Sequence, residues 1–327
     1  MSPRFPVALF RRLPPIARRD RRIRDLDKKL KRARSRPPST EPSYRVMVHA
    51  ERRMRGAGRA FPSVITHGKF YVQDVVRSHG IDVPEQFGRW DDPRQIAWDE
   101  LPDRVVIKSM RGFSAHGVLP IRRGDGGWQI ISHGDDVLTG DQLAELLIAQ
   151  VDAGNISGPF GAEEFLDQDG TGTRPPVDVK LYTFYGETVI VLLRQVEAHG
   201  DPTAVFRIVD RHGQDAGDHY SGKPIDPTLE VPTRLTEMVD AAERLSIAIR
   251  APFSRIDMYG IGERIVFGEI TPRPGGPQWF GPELDARLGA AWEQAHVRLW
   301  RDIKDGMLHD PEWGPFLRGH VEEGSAR

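Results

Sequence analysis

Hydrophobic and polar positions alternate along the chain with two different periods, which predicts a mixture of strands and helices. Short apolar runs predict strands at 104–108, 118–121, 128–131, 177–184 and 188–196, and a further strand that ends at 163–166. A helix is predicted at about 141–151, where Thr139 and Gln142 have the spacing of a capping box. A longer helix after Pro232 has a helical apolar stripe that includes Met238 and Leu245. Because strands and helices do not alternate strictly, the pattern predicts α+β layers.

The stretch 254–271 reads as two strands joined by a glycine turn. Alternation places Arg255, Asp257 and Tyr259 on one face of the first strand. On the second strand, Glu269 and Thr271 share a face with Ile265 and Phe267. If the two faces coincide, a cation, two carboxylates and a hydroxyl converge. Hard oxygen ligands of this kind suit Mg²⁺. An ordinary hairpin with a solvated charged face remains an equally good interpretation of these residues alone.

A second group of residues has the character of a polyphosphate site. Lys108 ends a β-branched run and opens the loop 109–117, which contains Gly112 and Gly117. A lysine and a flexible loop can supply a point charge and backbone N–H groups to phosphate oxygens. The P-loop pattern and the Rossmann glycine fingerprint are both absent. The segment 163–166 resembles a hinge whose backbone could read an adenine edge, although an edge strand with alternating charge explains it as well.

Composition narrows the class of protein. The 327 residues are 39% hydrophobic and 28% charged, and no apolar run approaches the length of a membrane span. No secretory signal is visible, and the absence of cysteine excludes disulfides, thiolate catalysis and zinc–thiolate sites. The histidines are scattered, which argues against a zinc enzyme. These features favour a cytoplasmic protein.

The near-neutral net charge hides a basic N-terminal segment. Residues 1–36 contain fourteen Lys or Arg and three Asp, so this segment carries +11 and the rest of the chain −12. Its pattern is helical, and such a tail can lie on an anionic membrane surface, bind an acidic partner or nucleic acid, or serve as a solubilising extension. Nucleic acid is the least favoured partner because no aromatic residue is interleaved with the basic ones in the helical segment 18–36. A peripheral membrane location therefore stays open.

Taken in order, five sequence segments resemble the ATP-grasp superfamily, in particular its TupA-like branch, named for teichuronopeptide synthesis. They are HGKFYVQDVVRSHGIDVPEQFG, LPDRVVIKSMRGFSAHGV, EEFL, VDVKLYTFYGE and SRIDMYGIGERIVFGEITPRPGGPQWFGPELDARLGAAW, which span about 68–292. The resemblance implies an α+β fold in which two subdomains hold ATP between them. The expected divisions are a basic tail at 1–40, a reduced helical region at 41–103, a lid at 104–166 and a C-terminal subdomain with the metal site at 167–327.

The resemblance also implies roles for individual residues. Nucleotide contacts are expected from Lys69, Lys108, Ser114, Gly117, Glu163, Glu164, Phe165, Leu166, Asp178 and Lys180, with Asp178 as the candidate for the ribose. The expected Mg²⁺ ligands are Asp257, Glu269 and Thr271, the last standing where many ATP-grasp enzymes have Asn. Arg255 corresponds to the arginine that stabilises a tetrahedral intermediate.

The implied activity is an ATP- and Mg²⁺-dependent carboxylate–amine ligase that works through an acylphosphate, in cell-surface polysaccharide or small-peptide biosynthesis. The expected substrates are a small-molecule or glycan-linked carboxylate and an amine such as an amino acid. The segment 272–281, with Gln278 and Trp279, is expected to border the acceptor. Two alternatives are a phosphotransferase that stops at phosphorylation and a non-catalytic nucleotide-binding protein recruited to a glycan-assembly complex.

Overall fold

The computed structural model of the chain describes residues 41–56, 68–110, 117–131, 136–172, 174–198, 203–272, 278–306 and 313–316. The predictions for the basic tail, for Ser114 and for most of the glycine loop fall outside these residues. Within them the fold is α+β, as predicted, and contains two six-stranded antiparallel sheets.

The first sheet contains β1 to β6 in the order β1-β6-β2-β3-β4-β5. Its strands are β1 (Gln86–Trp90), β2 (Arg104–Ser109), β3 (Val118–Gly124), β4 (Gly127–Ile130), β5 (Val137–Leu138) and β6 (Phe160–Glu164). Leu143 and Leu147 of the helix Gly140–Asp152 share a buried core with Ile107 of β2. The predicted capping box begins this helix: Thr139 Oγ1 accepts from the N–H of Gln142, and the Gln142 side chain accepts from the N–H of Thr139.

The second sheet has the order β10-β9-β8-β7-β11-β12. Its strands are β7 (Asp178–Thr183), β8 (Thr188–Gln195), β9 (Val205–Val209), β10 (Asp215–Gly217), β11 (Ser254–Ile261) and β12 (Arg264–Thr271). The first six residues of β8 are buried because helices cover both faces of this inner strand. This explains its nearly continuous apolar sequence.

Numbered along the chain, the helices described are α1 (Tyr44–Gly56), α2 (Lys69–Ser78), α3 (Gly140–Asp152), α4 (Leu235–Ile249) and α5 (Pro282–Lys304). Met238 and Leu245 of α4 pack with Leu181 on one face of the second sheet, which confirms the predicted apolar stripe. On the other face, α1 and α5 enclose an aromatic core. None of the described helices is long and apolar enough to cross a membrane.

One face of β7 changes character along its length. Tyr182 lies in the aromatic core beneath α1 and α5, whereas Asp178 and Lys180, on the same face by alternation, line a cavity. The neighbouring strand β11 repeats the arrangement, with Phe253 just before it in the core and Asp257 at the cavity. The buried aromatic end therefore supports the charged end on the same strands.

The sequence pattern did not predict β1 or β9. The QFGRW sequence of β1 contains a glycine and lacks apolar alternation, and its extended form comes from antiparallel pairing with β6 at the sheet edge. Similarly, β9 is aligned by β8, with which it pairs from Val191–Val209 to Gln195–Val205. The partner of β1 is at least 70 residues away in the sequence, whereas β9 pairs with the strand immediately before it.

Candidate nucleotide and metal site

A cavity of about 750 Å³ is lined by both sheets and by α2. Its volume is in the range of small-molecule and cofactor pockets. Ten of the expected site residues line it: Lys69, Lys108, Glu163, Glu164, Phe165, Leu166, Asp178, Lys180, Asp257 and Glu269. Arg255, Thr271 and Gly117 are not among its lining residues, and Ser114 lies outside the described part of the chain.

Gly117 lies where the glycine loop returns to the first sheet. Its carbonyl accepts from the N–H of Ser109 at 2.7 Å, and its own N–H donates to Gln150 Oε1 at 3.2 Å. Its φ is +72°, and a Cβ there would lie 2.7 Å from the Cβ of Ser109. Glycine is therefore required to close this loop tightly on β2.

The phosphate-side lysines lie next to a buried carboxylate. Lys108 Nζ forms an ion pair with Glu163, whose Oε1 accepts from Gln73 Nε2 at 3.0 Å and Gln86 Nε2 at 3.1 Å. Burial raises the pKa of Glu163, but the charge of Lys108 and these hydrogen bonds outweigh it and lower the pKa overall. Lys69 lies beside Lys108, and burial together with that neighbouring charge lowers its pKa.

Sequence reasoning missed Gln73. It follows Lys69 by four residues on α2, so both side chains lie on the same face of the helix and both line the cavity. The i, i+4 spacing was the available signal. The structure shows why an amide stands at this position. Gln73 is almost completely buried, and its Nε2 donates a hydrogen bond to Glu163.

The predicted hinge is anchored to the second sheet through Glu164. Arg264 donates from Nη1 to Glu164 Oε1 at 2.7 Å and from Nη2 to Oε2 at 3.2 Å. The Nε of the same guanidinium contacts Asp82 at 3.3 Å. This fork joins the end of β6 to the start of β12, on either side of the cavity.

Asp178 is an ionic partner for two cations rather than a free hydrogen-bond acceptor. Its Oδ2 lies 3.1 Å from Lys180 Nζ and 3.0 Å from Arg194 Nη1, and Tyr259 also hydrogen-bonds to this carboxylate. Burial raises the pKa of Asp178, but Lys180 and Arg194 more than offset this and lower it to about 2. The ribose contact expected of Asp178 therefore stays a prediction.

Sequence reasoning also missed Arg194, which lines the cavity. Arg194 is the Cα partner of Asp178 across β7 and β8. Tyr259, which alternation places on the same face of β11 as Asp257, also lines the cavity and reaches the Asp178 carboxylate. The alignment of three strands brings these residues together, and for Arg194 no local signal was available.

The expected metal ligands converge on one guanidinium. Arg255 Nη2 lies 2.7 Å from Asp257 Oδ2, 3.0 Å from Glu269 Oε1 and 3.0 Å from Thr271 Oγ1. Lys180 Nζ also donates to Asp257 Oδ2 at 2.6 Å. Burial lowers the pKa of Arg255, but the charge and hydrogen bonds of Asp257 raise it well above its ordinary value overall. The three oxygens are thus placed around a single positive charge.

A bulge in the hairpin corrects one expectation. Asp257 pairs with Glu269 and Met258 pairs with Phe267, so Gly268 is an extra residue in β12. Strict alternation would keep Glu269 on the same face as Phe267, but the bulge separates them. Phe267 therefore joins Met258 in the core, while Glu269 faces Asp257.

The donor set fits Mg²⁺ bound together with a nucleotide. Within the described residues, no three His, Asp or Glu side chains form a cluster that could hold a metal alone. Asp257 and Glu269 offer two hard carboxylates on directly opposed positions, and Thr271 adds a hydroxyl. Mg²⁺ commonly takes one or two carboxylates and completes its shell with waters and substrate phosphates.

The two antiparallel sheets, and the cavity lined by both with its lysines and carboxylates, have the arrangement expected of the ATP-grasp fold. Residues 162–293, from β6 into α5, match the family model described as TupA-like ATPgrasp. No curated protein matches the chain at a significant level.

Solved structures of ATP-grasp enzymes are similar over most of the chain. D-alanine–D-alanine ligase from Bacillus anthracis complexed with ATP is 14% identical, covers 79% of this chain and 76% of its own, and has a TM-score of 0.48. The ATP-grasp ligase PsnB, complexed with a phosphomimetic variant of its minimal precursor, Mg and ADP, is 14% identical, covers 86% and 74%, and has a TM-score of 0.39. The macrocyclase MdnC from Microcystis aeruginosa MRC, bound with its precursor peptide MdnA, is 15% identical, covers 70% and 61%, and has a TM-score of 0.37.

Proposed function

We propose that this protein is an ATP- and Mg²⁺-dependent ligase that joins a carboxylate to an amine through an acylphosphate. The observation that carries the proposal is the shared cavity. One side of the cavity is lined by lysines and the hinge, which belong to the first sheet and α2. The other side is lined by carboxylates and Lys180 of the second sheet. The match of residues 162–293 to a TupA-like ATP-grasp model supports the same class of reaction.

The nucleotide would lie with its base near the hinge and its phosphates near the lysines. Phe165 and Leu166 follow β6 directly and offer backbone N–H and C=O groups and apolar surface to adenine. Lys69 and Lys108 supply positive charge to the phosphates, and Glu163 holds the Lys108 ammonium in place. Lys180, which is held by Asp178 and Asp257, is a third candidate for a phosphate contact.

Asp257, Glu269 and Thr271 would hold Mg²⁺. When bound, the metal would neutralise charge on the phosphates and on the transferred phosphoryl group. The residues around this position prepare it: Gly268 allows the bulge that turns Glu269 toward Asp257, and Lys180 fixes the Asp257 carboxylate.

In the proposed reaction, a carboxylate oxygen attacks the γ-phosphorus of ATP and the bond to the β–γ bridging oxygen breaks, which releases ADP. The amine nitrogen then attacks the acyl carbon, and phosphate leaves with the electrons of the broken C–O bond as the nitrogen loses a proton to solvent. Arg255 would stabilise the oxyanion of the tetrahedral intermediate, an interaction whose loss typically costs about 3–4 kcal/mol. Closure of the first sheet over the cavity would exclude water and protect the acylphosphate.

The substrates we propose are a small-molecule or glycan-linked carboxylate and an amino acid, used in the synthesis of a cell-surface polysaccharide or a small peptide. The reaction would take place in the cytoplasm, with the basic segment 1–36 able to bring the enzyme to an anionic membrane surface.

The decisive experiment is a screen of ADP release against pools of amino acids and uronic acids, followed by mass measurement of the product and an assay of free phosphate. A ligase gives equal amounts of ADP and phosphate, and an amide product that needs both substrates. Release of ADP with a stable phosphorylated product and no free phosphate would instead identify a phosphotransferase. ATP binding without turnover in any pool would favour a non-catalytic nucleotide-binding protein.

A further inference from the structure

The side-chain amide of Gln278 is held in one orientation by two tyrosines. Its Oε1 accepts from the hydroxyl of Tyr44 at 3.0 Å and from that of Tyr182 at 2.8 Å. Both tyrosines are completely buried, and burial raises their pKa well above the ordinary value. Both hydroxyls therefore stay protonated at neutral pH and keep the carbonyl end of the amide turned toward them.

The other end of this amide is a free donor. Among the residues that the structure describes, Nε2 of Gln278 has no hydrogen-bond partner, although 91% of the residue's surface is buried, with 9% exposed. It is also not one of the unpaired polar atoms that are sealed from solvent, so a ligand can reach it. An amide nitrogen carries two N–H donors and no acceptor. The group that completes this site must therefore be a hydrogen-bond acceptor, and carboxylate oxygens are strong ones.

The amide lies close to the residue expected to act on the reacting carbon. Tyr182 is the Cα partner of Arg255 across β7 and β11, and the Arg255 charge acts on the hydroxyls of Tyr44, Tyr182 and Tyr220. Neither Arg255 nor Gln278 lines the nucleotide cavity. Gln278 thus lies outside the lining of the nucleotide cavity, and Tyr182 links it to the strand position opposite Arg255.

The backbone around Gln278 is held rigidly. The N–H of Trp279 donates to Ser221 Oγ at 2.8 Å, and the N–H of Ser221 donates to the Trp279 carbonyl at 2.7 Å. Tyr220 and Phe280 form an antiparallel bridge next to this pair. Trp279 itself is 48% exposed, with the Arg45 guanidinium 5.5 Å from the centre of its ring. A donor and an exposed aromatic wall are thus presented side by side on an ordered segment.

We propose that Gln278 is a substrate-positioning residue whose Nε2 binds an oxygen of the substrate carboxylate, beside Arg255 and against the wall formed by Trp279. This inference rests on the proposed ligase function and adds the place and the chemical class of the second ligand. A carboxylate oxygen accepts strongly from N–H donors, and an amide can bind it without adding another charge to the ion-pair network around Asp257.

The test is ¹⁵N NMR of the protein saturated with Mg²⁺ and a non-hydrolysable ATP analogue. The side-chain NH₂ signal of Gln278 is assigned by its disappearance in Gln278→Glu. Acetate, D-glucuronate and L-glutamate are then added separately at high millimolar concentration, with D-glucose and methylamine as probes that lack a carboxylate. We expect this signal to move with at least one carboxylate and with neither control. A signal that ignores all three carboxylates, or that responds only to methylamine, would overturn the proposal.

Gln278→Glu supplies the second readout. The glutamate keeps oxygens for Tyr44 and Tyr182 but replaces the two donors with a negative edge, so we expect the affinity for the responding carboxylate to fall by about tenfold or more. Nucleotide affinity should stay within about twofold, because the substitution removes only the contact between Gln278 and the carboxylate. Gln129→Glu, which adds the same charge on β4, is the matched control and should leave both affinities unchanged.

If Gln278→Glu also binds the carboxylate normally, Gln278 does not position it. Failure of the wild-type protein to bind the ATP analogue would count against the ligase function itself.

Discussion

Arg255 and Asp257 lie two positions apart on β11 and form a two-point ion pair, with Nε–Oδ1 and Nη2–Oδ2 distances of 2.7 Å each. Lys180 donates to the same carboxylate, which is only 1% exposed. Glu269, in contrast, is 51% exposed and shares only the outer edge of the guanidinium. The two carboxylates expected to bind Mg²⁺ therefore contribute differently to the stability of the fold. Substitutions at the two positions can separate an effect on metal binding from an effect on stability.

Glu269→Gln should abolish Mg²⁺-dependent ADP formation and change the free energy of unfolding by less than about 1 kcal/mol, because half-exposed ion pairs contribute little. ADP release at several Mg²⁺ concentrations and urea unfolding measure the two quantities. Glu197→Gln, which removes an exposed partner of Arg174, is the control and should keep full activity. Full activity in Glu269→Gln would remove Glu269 from the metal site.

Asp257→Asn should lose activity and also destabilise the protein by about 3 kcal/mol, because it removes the buried carboxylate that Arg255 and Lys180 share and leaves them only Glu269 and Asp178 as counter-ions. Urea unfolding of the two variants side by side tests this difference. If Asp257→Asn were as stable as Glu269→Gln, the buried ion pairs described here would not contribute to folding.

Asp178→Asn should lower stability at neutral pH, with a penalty that shrinks in acid. Burial raises the pKa of Asp178 but Lys180 and Arg194 lower it to about 2, so the ionised group stabilises the folded state above the ordinary carboxyl pKa. That contribution, about 2 kcal/mol, is lost as pH falls from about 4 toward 2. Urea midpoints of both proteins at a series of pH values check the trend. A difference that does not depend on pH would contradict the assigned ion pairs.

The fork between Arg264 and Glu164 should couple to nucleotide binding, since it joins the hinge strand β6 to β12. In a double-mutant cycle on ADP affinity, with Arg264→Ala, Glu164→Ala and both together, we expect a coupling energy of up to about 1 kcal/mol. The pair Arg174 and Glu197, neither of which lines the cavity, provides a parallel cycle that should give no coupling. Equal results in the two cycles would show that the fork has no role in binding.

Gly268→Ala should disturb the bulge that turns Glu269 toward Asp257. An added Cβ would lie 2.7 Å from the Tyr259 ring and 3.1 Å from the Asp257 carbonyl oxygen. Overpacking of this kind costs about 1–3 kcal/mol, and we expect weaker Mg²⁺ dependence as well. Gly260→Ala in the same hairpin meets only Met238 at 3.4 Å, so it should be nearly neutral. Equal stabilities of the two variants would argue against a special role for Gly268.

Local sequence signals predicted the elements that depend on neighbouring residues. The structure contains the capping box at Thr139, the apolar stripe of α4 and the glycine turn of the hairpin. Each of these features depends only on residues that are close together in the sequence. The strand β1 was missed because its extended conformation depends on pairing with β6, at least 70 residues later in the chain. The strand β9 was missed although it pairs with β8, the strand immediately before it. For the candidate site, the sequence supplied most of the cavity-lining charges and placed Tyr259 on the face of Asp257, but it missed Gln73 and Arg194.

The amino-acid sequence by itself determined which side chains are available for chemistry and, through its periodicity, most of the segments that form helices and strands. The tertiary structure decided which of these side chains meet. The register of β7 against β8 and β11 places Asp178 opposite Arg194 and Lys180 opposite Asp257, and the extra residue at Gly268 turns Glu269 away from Phe267. A shift of one residue in a strand moves every side chain to the other face, and the pairing that sets this shift forms between residues far apart in the chain.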